Sequence, residues 1–193
     1  MRQPFNIMLS TKIKASTEQA HQSLEGKVVR RLKAIRGNKD YADLLKYFYA
    51  YFKELEAAVA PYITPDVLAD YSNRRHADHL KTDIINLGAD DQDLPSVHIP
   101  EISNPVQAMG ALYVMEGSVM GGPYIVQMLA KGGVTEGVSF FSGYGAETGK
   151  MWAGFVDALN KIAPTETQQR QAIEKANETF SNFAAMFDVA EAA

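Results

Sequence analysis

The sequence predicts an all-α, single-domain helical bundle, and three observations carry that prediction. Apolar residues recur at helical spacing in several segments. No run alternates convincingly with period two. One long apolar segment near the middle has the character of a helix buried on every side. The chain has 193 residues, 46% hydrophobic and 22% charged, which suits one globular unit over 1–193 that holds its core without disulfides or metal.

Taken in order, Ile13, Thr17, Ala20, His21 and Leu24 predict a first amphipathic helix over 10–25, with Gly26 ending or bending it and a short basic helix over 27–36. Asp40 opens a second helix, in which Tyr41, Leu44, Leu45, Phe48, Phe52, Leu55 and Val59 keep the i, i+3, i+4 pattern until Pro61. Thr64-Pro65-Asp66 reads as a capped start with proline at the first helical position, carrying a helix to Gly88. An acidic, proline-bearing loop over 89–105 follows, then the apolar helix over 106–130, closed by Gly132-Gly133. The Ser142-Gly143-Tyr144-Gly145 turn leads to a helix over 148–162, and Pro164-Thr165 starts the last one, through Ala172, Ala176, Phe180, Phe183 and Phe187.

Composition narrows the function. There is no cysteine, which removes disulfide frameworks, thiolate metal sites and cysteine nucleophiles. A net charge of -4 argues against a broad nucleic-acid surface. The start, Met1-Arg2-Gln3-Pro4-Phe5-Asn6, has no apolar stretch of signal-peptide length, so a cytoplasmic protein is expected. The apolar stretch over 108–130 carries Glu116, four glycines and Pro123 and lacks a basic flank on its N-terminal side, which favours a buried helix over a membrane span.

Two places carry chemistry. His21 lies on the apolar stripe of the first helix, where a neutral imidazole either binds a metal through one nitrogen or is a satisfied core residue. Metal-bound histidines pass their other N–H to a carboxylate or carbonyl, and Glu25, at i+4, is on the correct face to receive it. Lys14, two turns before His21, points the same way and can meet an anion. The second place is Glu116-Gly117-Ser118-Val119-Met120-Gly121-Gly122-Pro123, where the glycines and proline sacrifice about 6 kcal/mol of helix propensity. Gly110, Gly117 and Gly121 share a face, leaving a groove for a flat ligand or for a neighbouring helix, and Pro123 should kink the helix near it.

The segment Thr17-Glu18-Gln19-Ala20-His21-Gln22-Ser23-Leu24-Glu25 resembles the proximal helix of heme oxygenases, and Leu112-Tyr113-Val114-Met115-Glu116-Gly117-Ser118-Val119-Met120-Gly121-Gly122 resembles their distal helix. The likeness is greatest to the bacterial branch associated with bacteriophytochromes. Weaker matches extend it along almost the whole chain: Tyr41-x-x-Leu44-Leu45-x-x-Phe48-Tyr49, Arg75 through Asp83 to Leu87-Gly88, Phe140-Phe141-x-x-Tyr144-Gly145, Trp152-x-x-Phe155 and Thr179-Phe180.

The resemblance implies the heme oxygenase fold and the cleavage of heme to biliverdin, with release of CO and ferrous iron, by O2 and an external reductant. Heme is then both substrate and cofactor. It implies His21 as the axial ligand of the iron, Glu25 as the partner of its ring, and Lys14 as a contact for a heme propionate. Gly117, Ser118 and Gly121 become the catalytic stretch of the distal helix, Gly122 lies with them at the heme, and Phe180 closes over the macrocycle edge. The implied partners are heme, a ferredoxin or reductase as electron donor, and a bacteriophytochrome as biliverdin acceptor. The sequence departs from the pattern at Ser118, where animal-type enzymes carry an aspartate, at Pro123, and near Trp152, where Lys150 and Lys161 are the basic residues.

Rival readings are a non-catalytic heme-binding or inactive homologue and a di-iron helical bundle, for which Glu18-x-x-His21 supplies one of the two motifs needed. His76-x-x-His79 with Asp83 has metal spacing, but beside Arg74, Arg75 and Lys81 it reads as a solvated face. Lys27, Arg30, Arg31, Lys33, Arg36 and Lys39 form either a docking patch for an acidic reductase or an exposed helix face.

Overall fold

The computed structural model describes residues 8–189, and Met1–Asn6 lie outside them. The all-α expectation holds: six helices, α1 (Leu9–Ala34), α2 (Asn38–Val59), α3 (Ala77–Asn86), α4 (Pro105–Lys131), α5 (Thr148–Ile162) and α6 (Glu166–Val189), pack around one core, with no strand among the described residues. The centre of that core is aromatic. Phe183 of α6 stacks on Tyr51 of α2 at 4.6 Å and meets Phe48 edge-on at 5.0 Å, while the Tyr51 hydroxyl donates to the Thr179 carbonyl. Phe140 and Phe141, from the loop after α4, close it from the other side against Phe52 and Phe48.

Three helices begin where their sequences say they should. Asp40 accepts the Arg36 N–H just ahead of α2. Asn104 caps α4 by accepting the Gln107 N–H, Gln107 returns the bond to Ser103, and Pro105 occupies the first turn. Thr165 and Gln168 exchange the same pair of bonds at the head of α6. Gly133, at φ 83°, turns the chain out of α4, a left-handed conformation that glycine adopts without strain.

Two expectations need correcting. Gly26 neither ends nor bends the first helix into two: α1 runs through it to Ala34. Glycine there costs about 1 kcal/mol, and burial of Leu24, Val28 and Leu32 together with the Lys27 bonds to Asp188 and the Ala184 carbonyl on α6 offsets it. The helix expected from Thr64 to Gly88 is shorter, with only a 3-10 turn at Tyr71–Asn73 before α3 starts at Ala77. Tertiary partners hold the residues between extended. Arg74 turns inward to Glu116, the Arg75 N–H donates to the Tyr144 hydroxyl, and Glu56 binds both the His76 ring and the Ala77 N–H.

The apolar α4 is the central helix, packed against α2, α5 and α6. It continues unbroken through Pro123. Among the described residues no helix is long and apolar enough to cross a membrane.

Candidate functional site

A cavity of about 1080 Å³ opens between α1 and α4, with α5 and α6 completing its walls. Small-molecule sites commonly enclose about 300–1,000 Å³, so this one suits a large ligand. Lys14, Thr17, His21, Glu25, Val28 and Leu32 of α1 form one wall. Tyr113, Gly117, Ser118, Gly121 and Ile125 of α4 form the other, with Phe48, Trp152 and Phe180 between.

The α1 wall follows from its period. Ile13, Thr17, Leu24 and Val28 bury toward the bundle, and the Thr17 hydroxyl is satisfied by the Ile13 carbonyl at 2.7 Å. His21, at the margin of that stripe, is exposed to the cavity rather than enclosed in the core. Its ring meets the edge of Phe180 at 5.5 Å and makes no protein hydrogen bond among the described residues, so the reading of a satisfied core histidine does not hold. Glu25 shares the wall one turn on, with no hydrogen bond to the imidazole. Lys14, exposed at the opposite end of the wall, has no carboxylate partner among the described residues.

The four glycines of α4 divide into two kinds. A Cβ added at Gly117 or Gly121 would meet nothing within 4 Å, so these positions present bare backbone to open space. A Cβ at Gly110 would stand 2.7 Å from the Ala172 Cα on α6, and one at Gly122 would stand 2.8 Å from the Phe141 carbonyl carbon. Gly110 therefore does not belong to the groove, although it shares a face with Gly117. Seven residues correspond to about 10 Å along a helix, so α6 covers that face at one level and leaves it open at the next. Gly122, expected beside the ligand, faces the Phe140-Phe141 loop. Ser118 is on the wall, with its hydroxyl donating back to the Val114 carbonyl at 3.0 Å.

Directly behind the α4 wall lies a buried charge pair. Arg74 Nη1 donates to Glu116 Oε2 at 2.6 Å, with the two side chains 1% and 4% exposed. Burial pushes the Glu116 carboxyl above the usual carboxylate range, and the guanidinium pulls against that push. Arg74, expected on a solvated face, is buried. A carboxylate in an apolar helix does demand a counter-charge, but a partner 42 residues away is not given by spacing.

The other half of that supposed face is also structural. His76 lies between the Glu56 carboxylate and the Tyr71 carbonyl, both at 3.0 Å, and that carboxylate raises its pKa. Arg75 donates to the Gly143 carbonyl, and Asp83, buried, accepts the Ser139 and Phe140 N–H groups. No group of three or more histidine or carboxylate side chains suited to a metal ion occurs among the described residues, and Glu18-x-x-His21 has no second such motif beside it there.

The residues present fit a heme. An imidazole without a hydrogen bond to any described residue is aimed into a large, mostly apolar cavity, two glycines open the facing wall for a flat macrocycle, and a lysine without a carboxylate partner among the described residues stands where an anionic edge can meet it. Comparison with known proteins gives the same direction. A heme oxygenase from Xanthomonas campestris pv. campestris (strain 8004) is 26% identical over 145 residues, 74% of this chain and 86% of that protein. The fold is that of the NO- and CO-bound heme oxygenase from Neisseria meningitidis, with a TM-score of 0.81 at 21% identity over 95% of this chain and 92% of that one. The family model "Heme oxygenase" matches residues 7–189, and the chain belongs to the heme oxygenase family of heme-degrading enzymes.

Proposed function

We propose that this protein cleaves heme to biliverdin, releasing CO and ferrous iron, with O2 and electrons from an external donor. The observation that carries the reading is the cavity that sets His21 on α1 opposite the bare backbone of Gly117 and Gly121 on α4. Heme supplies both the redox-active iron and the carbon skeleton to be cut.

The chain's own residues supply position and dryness. His21 offers a ring nitrogen to the iron, and Phe180, edge-on at 5.5 Å, limits rotation of the ring. Glu25, one turn on, receives the second ring N–H directly or through water, which fixes the tautomer and makes the ligand more basic. Lys14 pairs with a propionate. Gly117 and Gly121, where a Cβ would meet nothing within 4 Å, would let the α4 backbone come close to a bound macrocycle. Val28, Leu32, Phe48 and Ile125 exclude water from the buried part.

The donor is a ferredoxin or reductase, and its docking patch falls on α1 and the turn after it. Part of the basic face is already engaged: Lys27 pairs with Asp188, Arg31 lies over the Tyr47 ring, and Arg36 bonds the Lys33 and Ile35 carbonyls. Lys33 and Lys39 are exposed there. A cytoplasmic site of action and a bacteriophytochrome as acceptor of the biliverdin complete the reading.

Mixing the purified protein with hemin, adding a reductant in air and following the absorption spectrum tests it. The expected result is loss of the heme band with a bilin band appearing. A stable heme complex would instead make the protein a carrier, and failure to form any complex would overturn the heme assignment.

A further inference from the structure

The Arg74–Glu116 pair takes no direct part in holding heme, yet it abuts the cavity on two sides. Glu116 immediately precedes Gly117 on α4. Arg74 Nη2 also donates to the Met151 carbonyl at 3.1 Å, and Met151 immediately precedes Trp152, which lines the cavity from α5. Its Nε and Nη2 bind the two oxygens of Asp70 at 2.8 and 2.9 Å, and the guanidinium lies 5.7 Å from the centre of the Phe155 ring. One planar fork thus ties together α4, α5 and the segment leading to α3. Trp152 in turn packs on Tyr113 of α4 at 5.6 Å, across the same cavity wall.

Stability alone does not account for such a pair, because well-packed apolar side chains replace a buried ion pair at little or no loss. A guanidinium provides what they do not: donors in a rigid plane, each fixing the direction of its acceptor. We propose that Arg74 is a positioning residue of the cavity, setting Gly117 on α4 against Trp152 on α5 so that the opening keeps the width a flat macrocycle requires. This rests on the heme reading above and extends it to residues that do not touch the ligand.

Trp152 is the single tryptophan, so its emission in heme-free protein reports on that wall without any ligand. Two variants separate positioning from mere support. Arg74→Lys keeps the charge and loses the fork, whereas Arg74→Met with Glu116→Met removes the pair and fills its volume. The double variant is expected to unfold at a denaturant midpoint near the native one. Both variants should nevertheless shift Trp152 emission and bind hemin about tenfold or more weakly, as small misplacements at a binding site do.

Native emission together with native hemin affinity in either variant would overturn the proposal. So would a loss of hemin affinity that follows a fall in stability while the emission stays put. Should neither variant fold, Glu116→Gln, which keeps the shape and one hydrogen bond, is expected to shift Trp152 emission away from its native position, and native emission there would overturn the proposal as well. If the native protein itself failed to bind hemin, the heme reading would fall, and the emission comparison alone would decide whether Arg74 sets the wall.

Discussion

Two pairs of glycines on α4 use the same residue for opposite ends. Gly110 and Gly122 are glycine because another backbone occupies the space of a side chain, Ala172 of α6 in one case and Phe141 in the other. Gly117 and Gly121 are glycine beside open space. About 1 kcal/mol of helix propensity lost at each position is therefore offset by two different gains: close backbone packing at Gly110 and Gly122, and room for a ligand at Gly117 and Gly121. Glycine content alone cannot separate these, and substitution can.

The largest effect on folding is expected at Gly110. A methyl group 2.7 Å from the Ala172 Cα must push α4 away from α6, backbone against backbone, so Gly110→Ala should cost about 3 kcal/mol or more, at the upper end of overpacking penalties. Urea unfolding of the heme-free protein measures it, and a native midpoint would show that the two helices are not closely packed there. Gly117→Leu should do the reverse. Its heme-free form should melt at or slightly above the native temperature, since leucine is the better helix former, while hemin affinity drops by about tenfold or more because the side chain fills the cavity. Titration with hemin beside a melting curve reads both, and a marked loss of stability with normal hemin binding would place Gly117 in a packing contact.

A smaller effect sharpens the contrast from outside the cavity. A Cβ at Gly26 would also meet nothing within 4 Å, but Gly26 does not line the site. Gly26→Ala should stabilise the protein by about 1 kcal/mol, a rise of roughly 2–4 °C in Tm, and leave hemin titration unchanged. A lower Tm would mean that α1 needs the flexibility of glycine at that position.

The smallest effect lies outside the cavity lining, at the His76–Glu56 bond that opens α3. The carboxylate raises the pKa of His76 in the folded protein. Its contribution is thus fully present below the unfolded value, about 6.5, and is lost as pH rises through the higher folded value. Urea midpoints of the native protein and His76→Gln, taken from pH 5.5 to 8, should converge as pH increases. A gap that widens with pH would reverse the assignment.

What the sequence made legible follows what is local. The starts of α2, α4 and α6 lie close to their capping residues, and the bounds of α5 fall where expected, because caps and period act over a few residues. The region 64–88 was misread because Arg74, Arg75 and His76 answer to Glu116, Tyr144 and Glu56, none of them close in sequence. The same divide runs through the site. Lys14, His21, Glu25, Gly117, Ser118, Gly121 and Phe180, named from motifs on three helices, line one cavity. Gly122 turned to Phe141, and the contribution of Arg74 stayed hidden, because both depend on which chain segment crosses behind α4.

The central claim is that the cavity brings a heme iron to His21. Resonance Raman spectroscopy of the reduced hemin complex tests this most directly. The native protein should show an iron–histidine stretching band, and His21→Ala should still fold and take up hemin but lose that band until free imidazole is added. The same band at the same frequency in His21→Ala would contradict the assignment of the axial ligand and, with it, the orientation of heme between α1 and α4.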